Sequence, residues 1–313
     1  MIKEEFYFDS RDGENRIHAV RYTPDDGNVR GIVQIVHGMA EYVERYENLA
    51  EFLTKRGILV TGEDHLGHGK SVSEGGSFGY FCEQDPATVV VRDVHRLKKI
   101  TEEQYPQVPY IILGHSMGSF IARNYLCRYG SGIDGAVIVG TGMQSSGLIF
   151  ASKAMAGIQK LFCGSKHVSH FIDKAAFGGY NKRIDSPRTS SDWLSRNTDN
   201  VDRYIADELC GFTFTVNGFQ TLFELIRRLQ KQENLEKVPQ NLPILMVSGA
   251  EDPVGDYGKG VHKACDSLKR AGVKNIIVKL YENDRHELLN EDDAETAMED
   301  IWQWICKEVP GIV

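Results

Sequence analysis

The chain has 313 residues, a formal net charge of −8, 41% hydrophobic residues and 26% charged residues. These values are typical of a globular protein with one large α/β domain, or with a core domain and a smaller insertion, and not of a disordered chain. The negative charge argues against a nucleic-acid partner, which would need a basic face, and against a membrane surface rich in anionic lipid.

The N-terminal residues 1–20 lack the apolar segment of a secretory leader, and no later stretch of about 20 apolar residues could span a bilayer. We therefore expect a cytoplasmic protein. Six cysteines lie far apart, with neither CxxC nor Cys/His ligand spacing, so we expect free thiols and no structural metal. They are Cys82, Cys127, Cys163, Cys210, Cys265 and Cys306.

The predicted elements begin with two alternating runs around Asp12-Gly13, within residues 5–24, which indicate a β-hairpin. Short apolar runs rich in valine and isoleucine follow, as the strands of a parallel sheet covered on both faces require. Amphipathic helical patterns alternate with most of them, which predicts an α/β fold with a mostly parallel, doubly wound sheet and helices on both faces. The strands are predicted at 31–38, 57–64, 110–115, 135–140, 244–249 and 275–282, and the helices at 44–57, 85–106, 116–130, 258–272 and 294–309.

This alternation stops between residues 142 and 236. Residues 147–163 and 217–232 have amphipathic helix patterns, and the sequence from 175 to 200 is typical of loops. We predict that residues 142–236 form a mainly helical cap, or lid, inserted after the sixth strand, and that 1–141 and 237–313 form the core. Ligands of a doubly wound sheet bind beyond the carboxyl ends of its strands, so the cap would cover the site.

The candidate nucleophile is Ser116 in GHSMGS (114–119), a GxSxG pattern. Three fixed positions match easily by chance in a glycine-rich chain, but here the motif directly follows an apolar strand and opens a helix, as this motif requires. The turn forces the serine into a strained backbone conformation, and the flanking glycines allow neighbouring backbone to approach. We expect His115 to hold this turn by hydrogen bonding.

A serine hydroxyl needs a base that removes its proton, and the base needs an acid that orients it. Asp252 and His286 each follow a predicted strand, which gives the chain order Ser, Asp, His. The alternatives, which are weaker by position, are the acids Glu251, Asp256 and Asp284 and the histidine His262.

The tetrahedral intermediate of acyl transfer carries a negatively charged oxygen, which two backbone N–H groups must stabilise. One is the N–H of Met117, in the first turn of the helix that follows the nucleophile. The other is the N–H of Met39, which comes just after the end of the first core strand.

The segment EDHLGHGKS (63–71) offers a second hypothesis. Asp64, His65 and His68 have a spacing that could suggest a metal site, but a glycine-rich loop at a strand end explains them more simply. We therefore predict neither a metal nor any other cofactor.

Five segments carry a family resemblance: HGMAEYVERY (37–46), EDHLGHGKS (63–71), GHSMGS (114–119), SGAEDPV (248–254) and NDRHELLNE (283–291). Together they are similar to the monoacylglycerol lipase and lysophospholipase group of the α/β-hydrolase superfamily, and the match runs through nearly the whole chain. The resemblance implies the α/β-hydrolase fold and a serine ester hydrolase for single-chain acyl lipids. The residues it implies are the triad Ser116, Asp252 and His286 and the oxyanion donors Met39 and Met117.

One departure from the group is visible. Its mammalian lipases usually have a second histidine after the glutamate of the first segment, where this chain has Tyr42. The backbone donor is unaffected, but the shape of the pocket on the glycerol side is expected to differ.

The apolar side chains of the predicted cap have two interpretations. Those at helical spacing in 147–163 could pack on the core, or part of them could line an acyl tunnel or meet a lipid aggregate. Phenylalanines between 212 and 223 add aromatic surface in the same block. The substrate-binding candidates are Ile149, Met155, Ile158, Phe212 and Phe219.

The sequence thus predicts cleavage of monoacylglycerol or lysophospholipid through an acyl-enzyme, with a small-molecule ester as partner and at most transient contact of the cap with lipid. The alternatives are a short-chain or aryl carboxylesterase and a proline-type aminopeptidase of the same fold. The peptidase would need an acidic cluster in the cap, where Asp207 and Glu208 are the candidates. A non-catalytic binding protein of this fold would have a broken triad, and this triad is intact.

Overall fold

Eight strands form one sheet within residues 1–312, the part of the chain that this computed structural model describes. Their order across the sheet differs from their order in the chain, as it does in doubly wound folds. In chain order the strands are β1 (Ile2–Asp9), β2 (Arg16–Thr23), β3 (Gly31–Val36), β4 (Ile58–Glu63), β5 (Tyr110–His115), β6 (Gly135–Val139), β7 (Ile244–Gly249) and β8 (Ile276–Tyr281).

The strand order is β1-β2-β4-β3-β5-β6-β7-β8. β1 and β2 form the predicted antiparallel hairpin, β2 pairs antiparallel with β4, and every other neighbouring pair is parallel. The predicted mostly parallel, doubly wound sheet is therefore confirmed.

The central strands are buried on both faces. Every residue of β3, β4, β5, β6 and β7 is buried, which explains why the sequence shows continuous apolar runs there and not alternating ones. The parallel register aligns Val36 of β3 with Gly114 of β5, and His115 of β5 with Val139 of β6. The carboxyl ends of these three strands consequently meet at one edge of the sheet.

Helices cover both faces of the sheet. In chain order they are α1 (Glu47–Thr54), α2 (Pro86–Gln104), α3 (Met117–Tyr129), α4 (Ser146–Cys163), α5 (His170–Phe177), α6 (Thr198–Ala206), α7 (Val216–Leu229), α8 (Gln232–Leu235), α9 (Lys259–Arg270) and α10 (Ala294–Glu308). α2, α3 and α9 contribute to one apolar core, and α1 and α10 contribute to the other. Successive strand residues such as Ile112 and Leu113 belong to different cores because strand side chains alternate between the two faces.

The segment between β6 and β7 contains α4 to α8 and, within the described residues, adds no strand to the sheet. α4 and α7 match the helices that the sequence predicts, whereas α5 and α6 do not appear among the predictions. Both are short, with eight and nine residues, so their apolar periodicity is weak. Their local signal is a cap: Ser169 Oγ accepts the N–H of Ile172, and Asn197 Oδ1 accepts the N–H of Asn200.

α4 exposes much of its apolar surface. Phe150 and Phe162 are 77% and 86% exposed, while Ile149 of the same helix is buried. No helix between residues 1 and 312 is long and apolar enough to cross a bilayer. The six cysteines are free thiols, as the sequence predicts. Contact of α4 with a lipid surface stays a prediction.

The packing of α3 on the sheet gives a stability prediction. A Cβ atom at Gly118 would collide with the backbone carbonyl oxygens of Val36 and His37, which cannot retreat without moving β3. We expect Gly118→Ala to lower the free energy of unfolding by roughly 1–3 kcal/mol, measured by urea denaturation. The matched control is Gly157→Ala in α4, where a Cβ meets nothing within 4 Å. The higher helix propensity of alanine should raise the free energy of unfolding of this control by about 0.5–1 kcal/mol. A wild-type denaturation midpoint for Gly118→Ala would contradict this packing.

Candidate active site

Ser116 lies on a sharp turn between β5 and α3, where the sequence predicts it. Its φ and ψ angles are 54° and −120°, a conformation that costs a serine about 1–3 kcal/mol. Backbone hydrogen bonds hold it there: its N–H donates to the carbonyl oxygen of Val139 at 3.0 Å, and its own carbonyl accepts the N–H of Ser119 at 2.9 Å. The candidate nucleophile is therefore fixed at the carboxyl edge of the sheet, next to a cavity that it helps to line.

The candidate acid and base meet at the same edge of the sheet. His286 Nδ1 lies 3.0 Å from the carboxylate Oδ2 of Asp252, and both side chains are buried. Asp252 also accepts the N–H of Val254 at 2.8 Å, which fixes the carboxylate. Because a carboxylate only accepts, Nδ1 carries a hydrogen, which makes Nε2 the lone-pair nitrogen of the neutral ring.

The free nitrogen of His286 is available to a reacting group. Its Nε2 is buried and has no hydrogen-bond partner among residues 1–312, and the histidine lines the same cavity as Ser116. A buried acceptor without a partner is costly in a folded protein. A base that receives its proton only during reaction would have this environment.

The alternative acids and the alternative histidine have other environments. Glu251 is exposed and His262 is exposed on α9. Asp284 accepts a hydrogen bond from Arg196 at 3.2 Å, and burial raises the pKa of its carboxyl to about 6. Among the candidate acids, it is Asp252 whose carboxylate contacts the ring of His286.

The two candidate oxyanion donors also lie at the cavity. Met117 is the first residue of α3, so its N–H is one of the helical N–H groups that have no partner within the helix. Met39 follows the end of β3, and both residues line the cavity. The next residue, Ala40, has a φ of 53°, and its carbonyl oxygen accepts the N–H of Gly211 from the inserted segment at 3.0 Å.

The cavity has a volume of about 890 Å³. Its wall from α3, α4, α7 and residue 212 is apolar and includes Phe120, Ile149, Met155, Phe212, Leu222 and Phe223. Residues 180–193 add a more polar wall with Tyr180, Ser190, Ser191 and Trp193. A pocket of this size and composition suits a mostly apolar ligand with a polar end.

Two of the five substrate-binding candidates do not lie at the cavity. Ile149, Met155 and Phe212 line it, but Ile158 is 58% exposed and Phe219 is fully buried among aromatic rings of the core. The prediction fails at Ile158 because α4 is apolar around much of its circumference, so helical spacing does not identify the inner face. It fails at Phe219 because that ring packs against Phe177, Phe214 and Phe223, whereas Leu222 and Phe223 of the same helix face the cavity.

Trp193 also lies at the site, although it is not among the residues predicted from the sequence. Its ring lies 5.1 Å from the ring of His286, centroid to centroid, and Tyr180 packs edge-on against it at 4.9 Å. Both residues fall in the part of the sequence that is typical of loops. The sequence feature that could have indicated Trp193 is the presence of a large aromatic residue in an otherwise polar segment.

The segment EDHLGHGKS forms a structural loop. The carboxylate of Asp64 contacts His18 Nδ1 at 2.8 Å and accepts the backbone N–H groups of Val43 and Lys70, each at 2.9 Å. Burial lowers the pKa of His65 well below its ordinary value and that of His68 to about 3. Asp64 thus ties several segments together through hydrogen bonds.

The chain is similar to known proteins in both sequence and structure. A family model described as serine aminopeptidase, S33, matches residues 27–293. The monoglyceride lipase of Rattus norvegicus is 27% identical over 92% of this chain and 86% of that protein, and the monoacylglycerol lipase of Mycolicibacterium smegmatis is 28% identical over 92% of each. The crystal structure of a thermostable carboxyl esterase from Bacillus coagulans in complex with glycerol is 31% identical, with a TM-score of 0.91 over 100% of both chains.

The contact between His286 and Asp252 gives a kinetic prediction. In Asp252→Asn, the neutral amide no longer holds the hydrogen on Nδ1 or stabilises the charged ring, so we expect kcat to fall by about 10³–10⁴. The protein should keep its fold, because asparagine can still accept the N–H of Val254. The measurement is kcat on a p-nitrophenyl ester, with circular dichroism to check folding. The matched control is the exposed neighbour Glu251→Gln, which should keep wild-type kcat. Equal kcat for the two variants would remove Asp252 from the site.

Proposed function

Because the chain belongs to the serine aminopeptidase S33 family, in its monoacylglycerol lipase-like group of α/β-hydrolases, and is a carboxylic ester hydrolase, we propose that it cleaves single-chain acyl lipids such as monoacylglycerol or lysophospholipid. One observation carries this proposal. The cavity that Ser116 helps to line has a volume of about 890 Å³ and one largely apolar wall, which suits an acyl chain, while its more polar wall includes Trp193 beside His286. The names of two relatives, a monoglyceride lipase and a monoacylglycerol lipase, agree with it.

The proposed mechanism uses five residues. His286 Nε2 takes the proton of Ser116 as Oγ attacks the ester carbonyl, and Asp252 stabilises the imidazolium that forms. The backbone N–H groups of Met39 and Met117 stabilise the oxyanion. The imidazolium protonates the leaving alcohol, and the same histidine then activates a water that hydrolyses the acyl-enzyme.

We propose that residues 142–236 act as a cap that selects the substrate. They supply Ile149, Met155 and Phe212 to the apolar wall and Tyr180 and Trp193 to the wall near the base. The acyl chain would extend along α4 and α7, and the leaving alcohol would lie near Trp193.

A short-chain carboxylesterase is the second candidate. The observation that favours it is the 31% identity to a carboxyl esterase over 100% of both chains, a protein whose structure contains glycerol. A proline-type aminopeptidase is less well supported, because a substrate amine needs a free carboxylate. Neither candidate, Asp207 or Glu208, lines the cavity, and the carboxylate of Asp207 accepts a hydrogen bond from Tyr42 at 2.8 Å.

The nucleophile can be tested directly. We expect Ser116→Ala to lower kcat for any ester by about 10³–10⁶, because no other group forms the acyl-enzyme. The matched control is Ser131→Ala, at an exposed serine, which should keep wild-type rates. Hydrolysis by Ser116→Ala at more than a few per cent of the wild-type rate would exclude this mechanism.

The acyl wall can be tested with a series of glycerol monoesters from acetyl to oleoyl. The larger side chain in Met155→Trp fills part of the cavity next to the apolar wall, which leaves less room for a long acyl chain. The kcat/KM for the oleoyl ester relative to the butyryl ester should therefore fall about tenfold. The matched control is Ile158→Trp, in the same helix but on its exposed side, which should leave the ratio unchanged. Wild-type activity that peaks on the acetyl ester would favour the short-chain carboxylesterase. A comparison of monooleoylglycerol with lysophosphatidylcholine then identifies the headgroup.

A further inference from the structure

A buried group of charged side chains lies directly behind the proposed base. Arg45 donates to the Glu41 carboxylate at 3.1 Å and to both oxygens of Glu287, at 2.7 and 2.8 Å. Glu41 in turn lies 3.2 Å from Nδ1 of His115, the residue before the nucleophile. The side chains of Glu41, His115 and Glu287 are all buried. The proposed mechanism assigns no role to any member of this group.

The contacts of His115 identify its protonation state. Nε2 lies 3.1 Å from the backbone carbonyl oxygen of His286, and a carbonyl oxygen can only accept, so Nε2 carries a hydrogen. Nδ1 faces the Glu41 carboxylate and, at 2.8 Å, the hydroxyl of Tyr46. A lone pair on Nδ1 would point at the carboxylate oxygen. It would also compete with Glu41 for the single hydroxyl hydrogen of Tyr46, which Glu41 accepts at 2.8 Å. Hydrogens on both nitrogens satisfy every contact.

The balance of charge leads to the same protonation state. Glu41 and Glu287 are two buried carboxylates, and Arg45 supplies one positive charge. One negative charge would remain unbalanced in a buried site unless His115 is an imidazolium, and buried charges without a partner are strongly unfavourable.

We propose that His115 is a buried imidazolium, paired with Glu41, that acts as a positioning residue for the catalytic base by donating a hydrogen bond to the backbone of His286. This inference rests on the proposed role of His286 as the base. The same carboxylate oxygen of Glu41 accepts the backbone N–H of Gly38, next to the oxyanion donor Met39. The ion pair of His115 and Glu41 therefore connects three parts of the site: the turn that carries Ser116, the loop that carries His286 and the loop that carries Met39.

The surroundings of the ring support this charge state. Burial lowers the pKa of His115, but the hydrogen bond and the charge of Glu41 outweigh it and raise the pKa above its ordinary value. Burial alone would raise the pKa of Glu41, and the contact with His115 lowers it well below its usual range. The titratable and charged groups that face the ring or act on it are Glu41, Arg45, Tyr46, His37, His286 and Glu287.

The sign of the pH dependence follows from these two shifts. A histidine with a raised pKa stabilises the fold at low pH, and this contribution is lost as the pH rises through its folded-state pKa. A carboxyl with a lowered pKa stabilises the fold at higher pH, and its contribution is lost as the pH falls through its folded-state pKa. The stability difference between wild type and His115→Phe should therefore be largest between about pH 4.5 and pH 6.5, the ordinary pKa values of a glutamate and a histidine, and should shrink both in alkaline solution and in strong acid.

Three substitutions separate the two hydrogen bonds of the ring. The amide nitrogen of glutamine reaches about as far as Nε2 and that of asparagine about as far as Nδ1. His115→Gln should thus keep the donor to His286, whereas His115→Asn and His115→Phe lose it. We expect kcat per active site, counted with a fluorophosphonate, to fall about tenfold or more in the Asn and Phe variants and no more than about threefold in the Gln variant, with KM unchanged. The matched control His262→Asn, on the exposed face of α9, should keep wild-type kcat.

The charge of the ring is measured by nitrogen-15 NMR of histidine-labelled protein, with the His115 signals assigned from their loss in His115→Gln. Two protonated ring nitrogens near neutral pH support the proposal, and a neutral ring would overturn it. Equal kcat losses in the three variants, or none, would also overturn it. If Ser116→Ala is inactive, these outcomes reject the positioning role alone, whereas an active Ser116→Ala rejects the proposed function itself.

Discussion

The site depends on the close contact between α3 and the carboxyl end of β3. Gly118 lies against the carbonyl oxygens of Val36 and His37, where a side chain has no room. With α3 held this close, the chain between β5 and α3 must turn within one residue, and that residue, Ser116, takes a positive φ. The strain persists because backbone hydrogen bonds on both sides of the turn are formed at the same time. The geometry of the proposed nucleophile is thus a result of helix packing.

The inserted segment is bound to the loops that carry the proposed base and the oxyanion donor. The N–H of Glu287 donates to the carbonyl oxygen of Leu194, and Glu291 accepts hydrogen bonds from Ser195 and from the N–H of Arg196. Tyr42, three residues after Met39, donates to Asp207 of the same segment. The segment that we propose as a cap therefore contributes to the geometry of the site as well as to the wall of the cavity.

The sequence predicts the sheet, the nucleophile turn and the chain order of acid and base, because each depends on local patterns. Continuous apolar runs indicate buried parallel strands, and a serine between glycines at a strand end indicates a strained turn. Trp193 could not be predicted in this way, since a tertiary contact places it on His286. Ile158 and Phe219 fail for a related reason: helical periodicity shows that a helix has an apolar face but does not show which apolar residues meet an empty space.

The two walls of the cavity differ in how they are attached, and this difference affects how the protein can evolve. α4 packs mainly on α7. Its cavity-lining side chains, Ile149 and Met155, are apolar and make no hydrogen bond to the proposed triad or to the loop that carries Met39. Under the proposed function, substitutions in α4 can therefore alter the accepted acyl chain while the reaction chemistry is retained. Changes near Trp193 affect a segment that is hydrogen-bonded to the loop that carries the proposed base. Under the same proposal, selection for a new leaving alcohol and selection for turnover therefore act on the same residues. Divergence in chain length is the less constrained of the two routes to a new substrate.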